Sequence, residues 1–127
     1  MRLIVSSVCL IFFNNIFASE IIFNCKETII ETKGIYNEFL EKNNKNLTET
    51  YRYNKLKNTM LIGKTLLSCK KNNNKLTCTR EEEDEDFSYA WNLSIDIILM
   101  KNKFSKHGFF SNKEHLIKTY GICKTKK

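Results

Sequence analysis

The 127-residue chain lacks proline and glutamine, and it contains only four glycines, two histidines and one tryptophan. Its length allows one domain, and no internal repeat or linker divides it. Lysine and asparagine are abundant, a bias typical of low-GC coding as much as of function. The lysines that give the formal charge of +7 are scattered. Because no compact basic run is interleaved with aromatic residues, nucleic-acid binding is not predicted.

Apart from its N-terminal segment, the sequence has no apolar run near the about 20 residues that span a bilayer. The N-terminal run follows Arg2 and ends at Phe13, and the segment closes with Ala18 and Ser19. One positive charge, a short apolar stretch and small final residues are the pattern of a signal peptide. We expect residues 1–19 to be a signal peptide that is cleaved after Ala18 or Ser19. Residues 20–127 would then form one β domain without a transmembrane segment, located in the periplasm or outside the cell.

The cysteines lack the two-to-four-residue spacing that zinc sites use. Cys9 lies in the middle of the signal's apolar run, whereas a lipidated cysteine would follow it. The exported part retains four cysteines, and an even number in a short exported domain predicts a disulfide framework. These four are Cys25, Cys69, Cys78 and Cys123. Neither a metal nor a cofactor is expected.

Hydrophobicity alternates with period two in residues 88–97, which predicts a strand with one buried and one wet face. The buried set is Tyr89, Trp91, Leu93, Ile95 and Ile97. A second strong signal is the polar break at residues 72–74 between two strand-like segments. Asparagine accepts the left-handed conformation of tight turns, so residues 66–80 are predicted to form a hairpin.

A two-residue turn at Asn73 and Asn74 would place Cys69 opposite Cys78 in a non-hydrogen-bonded pair. The Cα atoms of such a pair lie about 4.5 Å apart, within reach of a disulfide. Cys25 and Cys123 remain, and they belong to the predicted first and last strands. We therefore predict the pairs Cys69–Cys78 and Cys25–Cys123.

Weaker strand signals occur at residues 50–53, 59–62 and 98–104, with a turn at 55–58. Residues 36–45 suit either a helical turn or a strand. Seven or eight short strands predict an all-β fold, a small antiparallel β-barrel or sandwich closed by two disulfides. The bond between the first and last strands favours the barrel.

Motifs of catalysis are absent. Residues 63–65 read Gly-Lys-Thr like the end of a phosphate-binding loop, but Asn58 stands where that loop needs its first glycine. His107 and His115 are isolated, and no sequence near Ser105 or Ser111 resembles a nucleophile elbow. We expect both histidines to face solvent and the protein not to be an enzyme.

Two features are candidate partner contacts. The first is an acidic run, which suits a solvated loop, a contact for a basic protein or, less well, a metal site, since it lacks the alternation and glycine of a calcium loop. The second is an aromatic pair whose adjacent side chains point opposite ways in a strand, so that one is exposed at a rim. These residues are Glu81, Glu82, Glu83, Asp84, Glu85 and Asp86, followed by Phe109 and Phe110.

Two functional hypotheses follow. One is a protein-binding module, similar in format to small exported inhibitors of cell-wall hydrolases. The other is a carrier of a small apolar ligand inside the barrel, which requires a cavity near about 300 Å³. Inward aromatic residues of a small barrel are more often simply its core. Asn46 and Asn92 have the form of glycosylation acceptors, which matter only in a host with an endoplasmic reticulum.

The signal-peptide prediction concerns the N-terminus of the exported protein. When the full chain is expressed and exported, the purified protein should begin at Ser19 or Glu20, because small residues mark the cleavage site. Intact-mass measurement and N-terminal sequencing check this. An exported protein that keeps residues 1–18 would contradict it.

Overall fold

A computed structural model describes residues 19–126 as eight strands and one helix. Alternating apolar and polar residues along these strands suit a sheet with one buried and one exposed face. The elements are β1 (Glu20–Lys33), α1 (Tyr36–Asn43), β2 (Asn46–Asn54), β3 (Thr59–Ile62), β4 (Thr65–Asn72), β5 (Lys75–Glu83), β6 (Phe87–Asp96), β7 (Lys101–Phe110) and β8 (Lys113–Lys126).

The strands form a closed antiparallel barrel in sequence order. Every strand pairs with its neighbours in the chain, and β8 returns to pair with β1. Closure leaves no unpaired sheet edge, which a sandwich would have. The barrel prediction is thus confirmed over the sandwich.

Both predicted disulfides are present. Cys69 and Cys78 face each other across β4 and β5, with Cα atoms 4.0 Å apart. Asn73 adopts φ +54° in the turn between these strands, the left-handed conformation predicted for it. Cys25 pairs with Cys123 in the β1–β8 register, 98 residues away in sequence.

The strand predicted at residues 98–104 is wrong at its start. Residues 97–100 form a turn, and β7 begins only at Lys101. The Asp96 carboxylate explains the turn, because its Oδ1 accepts hydrogen bonds from the backbone N–H groups of Ile98 and Leu99, at 3.0 and 2.9 Å. Such a side-chain acceptor stabilises a turn against continued strand pairing.

The ambiguous segment 36–45 is mostly helix. Gly34, at φ +67°, turns the chain out of β1, and a side chain there would collide with His115. Asn44 ends α1 in the left-handed conformation, where its backbone N–H donates to the carbonyl of Glu41. The helix therefore spans the gap between the first two strands.

The barrel has two different ends. At the end we call closed lie the turns 55–58, 73–74 and 97–100, and at the end we call open lie the 34–45 connection with α1 and the turns 63–64, 84–86 and 111–112. Both disulfides belong to one cluster of buried, mostly apolar side chains, which fills the interior toward the closed end. Its largest fully buried members include Phe23, Tyr51, Met60, Leu67, Leu76, Leu93 and Ile95.

The predicted signal peptide, residues 1–19, lies outside the described residues except for Ser19. Within residues 19–126, no helix combines the length and apolarity that crossing a bilayer requires.

The two disulfides should contribute unequally to stability. In the chain-entropy account, removing Cys25–Cys123 by alanine substitution of both cysteines should lower the free energy of unfolding by about 4–5 kcal/mol, against about 2.5–3 kcal/mol for Cys69–Cys78. The difference arises because the sequence separations are 98 and 9. Chemical denaturation of the two double variants measures it. Equal losses, or a larger loss for the hairpin bond, would contradict the prediction.

Candidate functional site

A cavity of about 230 Å³ lies in the barrel interior toward the open end. Seven of the nine elements contribute to it, since inward positions of β1, β2, β3, β6, β7 and β8 meet there beneath α1. Its wall residues are Glu27, Tyr36, Phe39, Leu47, Glu49, Tyr51, Ile62, Trp91, Phe104, Lys106, Ile117 and Thr119. The cavity thus combines apolar and aromatic walls with three ionisable side chains other than tyrosine.

Glu27 is the most buried carboxylate of the cavity, with 2% of its surface exposed. Three neighbours donate hydrogen bonds to it: the Tyr51 hydroxyl, Asn102 Nδ2 at 2.5 Å and the Thr119 hydroxyl at 3.1 Å. The donors come from three strands, so the carboxylate ties β2, β7 and β8 to β1. Burial and the nearby Glu27 raise the pKa of Tyr51 far above its ordinary value, which keeps the hydroxyl a donor.

Gly121 makes the Asn102–Glu27 bond possible. It lies on β8, directly between Glu27 of β1 and Asn102 of β7 in the register. A Cβ at this position would lie 2.4 Å from Asn102 Oδ1 and 2.7 Å from the Lys26 carbonyl oxygen. The missing side chain therefore lets the amide reach across an intervening strand.

A second carboxylate, Glu49, lies on β2 opposite Cys25 of β1 and is half-buried. Burial, followed by repulsion from Glu27, raises its pKa above the ordinary value of 4.5. Among the residues that the structure describes, neither Glu27 nor Glu49 has a lysine, arginine or histidine within ion-pair distance. The interior therefore holds two carboxylates without a paired cation.

Lys106 is the cation of the cavity wall, but its ammonium contacts aromatic rings of β6 and not the two carboxylates. Its Nζ lies 4.1 Å from the centroid of the Trp91 ring and 4.8 Å from that of Tyr89. Burial lowers the pKa of Lys106, while Glu82 opposes this effect. Cation–π contacts of this kind hold the ammonium against β6.

The helix α1 covers the cavity from the open end. Tyr36 and Phe39, one turn apart on the helix, both line the cavity. Burial and the nearby Tyr89 raise the pKa of Tyr36, and the helix itself packs against β1 and β8. His115 fixes its start, because Nδ1 accepts a hydrogen bond of 3.1 Å from the Ile35 backbone N–H.

The expectation that both histidines face solvent is wrong for His115, which is 5% exposed because its ring serves as this buried acceptor. His107 keeps a 43% exposed side chain. Its Nε2 lies 2.7 Å from Glu114 Oε2, and Lys33 Nζ lies 3.2 Å from Glu114 Oε1. Both partners hold the pKa of Glu114 below its usual range, His107 more strongly.

The acidic run and the phenylalanine pair lie side by side at the open end. Phe110 pairs with Phe87, Phe109 pairs with Ser88, and the Ser111 N–H donates to the Asp86 carbonyl oxygen at 3.1 Å. The two phenylalanines are 46% and 50% exposed, although the sequence predicted exposure for only one of them. Both lie at a strand end, where alternation no longer forces one inward. We call residues 81–86 with Phe109 and Phe110 the rim.

The acidic run is not entirely a loop. Glu83 pairs with Ser88, and residues 81–83 continue β5, so only residues 84–86 form the turn. Within the described part of the chain, Glu82 is the one rim carboxylate with an ion pair, 3.0 Å from Arg80 Nε. The other five carboxylates are exposed, and each is available to an external cation.

Across residues 19–126, no group of three or more histidine, cysteine, aspartate or glutamate residues is arranged to hold a metal ion.

Comparison of the chain with protein-family models, with curated proteins and with solved structures found no significant match.

The hydrogen bond from Tyr51 to Glu27 gives a stability prediction with an internal control. Replacing Tyr51 with Phe leaves a buried carboxylate short of one donor, and it should lower the free energy of unfolding by about 1.5–3 kcal/mol. Tyr53 donates to the neutral Asn58 Oδ1 at 2.6 Å, so Tyr53→Phe should cost only about 0.5–1.5 kcal/mol. Urea denaturation of both variants measures the two losses in free energy of unfolding. If Tyr51→Phe lost less than Tyr53→Phe, the hydrogen bonds to Glu27 would contribute little to stability.

Proposed function

We propose that this chain is an exported protein-binding module of inhibitor-like format, and that its rim binds a basic partner protein. The observation that carries the proposal is the pairing of Ser88 with Phe109, which sets an exposed aromatic pair beside an exposed acidic segment. Protein interfaces combine aromatic centres with polar surroundings in this way.

The rim rests on rigid elements, which supports binding rather than a passive surface role. Five of its eight residues belong to β5 and β7, two strands paired along most of their length with β6. Preformed backbone lowers the entropy lost on binding. Phe109 and Phe110 are about half exposed. A partner that covers their rings would remove apolar surface from water, which favours binding.

The charge distribution supports a basic partner. Residues 81–86 hold six of the chain's 14 acidic residues, although its net charge is +7. A basic protein is repelled by the positive net charge of the rest of the chain and attracted by the rim. Such asymmetry orients diffusional encounter and raises the association rate at low ionic strength.

Export agrees with this function. The signal-peptide pattern of residues 1–19 and two disulfides are typical of proteins that work in the periplasm or outside the cell. Disulfides keep a small domain folded there.

The alternative, a carrier of a small apolar ligand, has weaker support. The interior cavity of about 230 Å³ is smaller than the about 300 Å³ of typical ligand sites. Its walls include the charged groups of Glu27, Glu49 and Lys106, and an apolar ligand would offer none of them a polar contact. The chemistry of the cavity favours a charged occupant.

The rim proposal predicts the effect of two matched pairs of variants on binding to a panel of basic exported proteins that includes a lysozyme. Glu83→Gln with Glu85→Gln should weaken binding about tenfold, since two exposed charges are lost. Phe109→Ser with Phe110→Ser should weaken it about 30-fold or more, as expected of aromatic anchors. Isothermal titration calorimetry at low and high salt measures both.

Each variant has a control of the same chemistry elsewhere. Glu38→Gln with Glu41→Gln makes the same charge change on α1, and Ile98→Ser with Leu99→Ser removes an exposed apolar pair at the closed end. Both controls should alter affinity less than about threefold. Equal losses in rim and control variants, or no binding to any basic protein, would contradict the proposal.

A further inference from the structure

The interior cavity contains two carboxylates without a paired cation, and neither of them belongs to the rim. Glu27 and Glu49 both line it, and the burial of Glu49 beside Glu27 is unfavourable for two anions. Carboxylates taken out of water are costly unless a cation is near. The Lys106 ammonium does not serve as that cation, because it lies against the Tyr89 and Trp91 rings.

The walls around the carboxylates are aromatic. Trp91 and Phe104 meet edge to face with centroids 6.0 Å apart, and Tyr51 lies 6.3 Å from Phe104. Tyr36 and Phe39 of α1 add two further aromatic rings to the lining. Aromatic faces attract organic cations and also accept the hydrocarbon part of such a ligand.

The size of the cavity limits the ligand. A volume of about 230 Å³ equals that of about eight water molecules in the liquid, so a ligand of about ten non-hydrogen atoms fits. A bare metal ion would leave the aromatic walls unused, and within residues 19–126 no cluster of three metal-ligating side chains exists.

We propose that this cavity binds a small organic cation, a primary ammonium carried on a single compact ring. The ammonium is placed between Glu49 and the free side of Glu27 Oε1, which accepts one hydrogen bond, from Thr119. The ring packs against Trp91 and Phe104 beneath α1. None of the residues that line this cavity belongs to the rim.

The probes are 2-phenylethylamine and three relatives of similar size: 2-phenylethanol, phenylacetate and phenylalanine. All four probes have the same ring. The amine carries a cation, the alcohol a neutral hydroxyl, phenylacetate an anion, and phenylalanine a zwitterion. Trp91, the sole tryptophan of the chain, lines the cavity, so its fluorescence reports binding, with calorimetry as a second readout. The amine should bind saturably and at least about tenfold more tightly than each of the others.

Two substitutions should act in opposite directions. Glu49→Gln should weaken amine binding about tenfold, because it removes the half-buried charge. Lys106→Met keeps most of the stem but removes the competing cation, so it should strengthen amine binding about threefold. If Lys106 had a purely structural role, Lys106→Met would not increase the affinity for the amine. The control Glu38→Gln, on the exposed face of α1, should leave the affinity unchanged.

The pH dependence has a defined sign. Glu49 is charged only above its raised pKa, so amine affinity should fall as the pH decreases from neutrality through that pKa. The other charged groups that face Glu49 are Glu27 and, across the cavity, Lys106. In Glu49→Gln this decrease should be smaller.

Several results would overturn the cation site. They are the absence of saturable binding of the amine, equal affinity for amine and alcohol, tighter binding of phenylacetate or phenylalanine, and weaker amine binding in Lys106→Met. Rim binding to a basic protein should be unchanged in Glu49→Gln. Failure of the cavity proposal is therefore distinguishable from failure of the protein-binding proposal.

Discussion

Pairing between β1 and β8 is the interaction on which the rest of the molecule depends. These strands come from opposite ends of the described chain, and their ladder closes the barrel with Cys25 bonded to Cys123 within it. Closure removes two sheet edges that would otherwise be free to pair with other chains. It also brings Thr119 and Asn102 to Glu27, so the polar interior exists only in the closed barrel.

The barrel separates its packed core from its two candidate sites along its axis. Toward the closed end, two disulfides and a set of fully buried apolar side chains fill the interior. Toward the open end the interior becomes polar and leaves a cavity, and the strand ends carry exposed aromatic and acidic groups. A core that is well packed in one half tolerates charged groups and unfilled volume in the other.

Lys106 connects the two candidate sites physically. Its ammonium contacts Tyr89 and Trp91, and it is attracted by Glu82, which belongs to the rim. Lys106 also lines the cavity. One side chain thus faces the outer acidic segment and the inner carboxylates, and its position against the rings leaves the inner pair without a cation.

The rim residues could be predicted from sequence, because a run of six acids and two adjacent phenylalanines in a strand are local patterns. The charged lining of the cavity was missed, although a cavity inside the barrel was considered for an apolar ligand. Part of it was readable, since Glu27 falls in phase with Phe23 and Cys25 on the inward face of β1. Its donors could not be read, because Tyr51, Asn102 and Thr119 belong to strands far apart in the chain.

From sequence alone we could predict most of the strands, the hairpin register, both disulfides and an all-β fold, in which the barrel was favoured over a sandwich. The strands and the hairpin register follow from period-two alternation and turn chemistry, which act over a few residues, and the Cys25–Cys123 pair follows by elimination. The signal peptide remains a sequence prediction. The folded barrel was needed to show that residues 36–43 form a helix over the open end, that His115 is buried beneath it, and that Glu27 and Glu49 share a cavity. Those outcomes depend on closure, which brings together side chains that no local pattern relates.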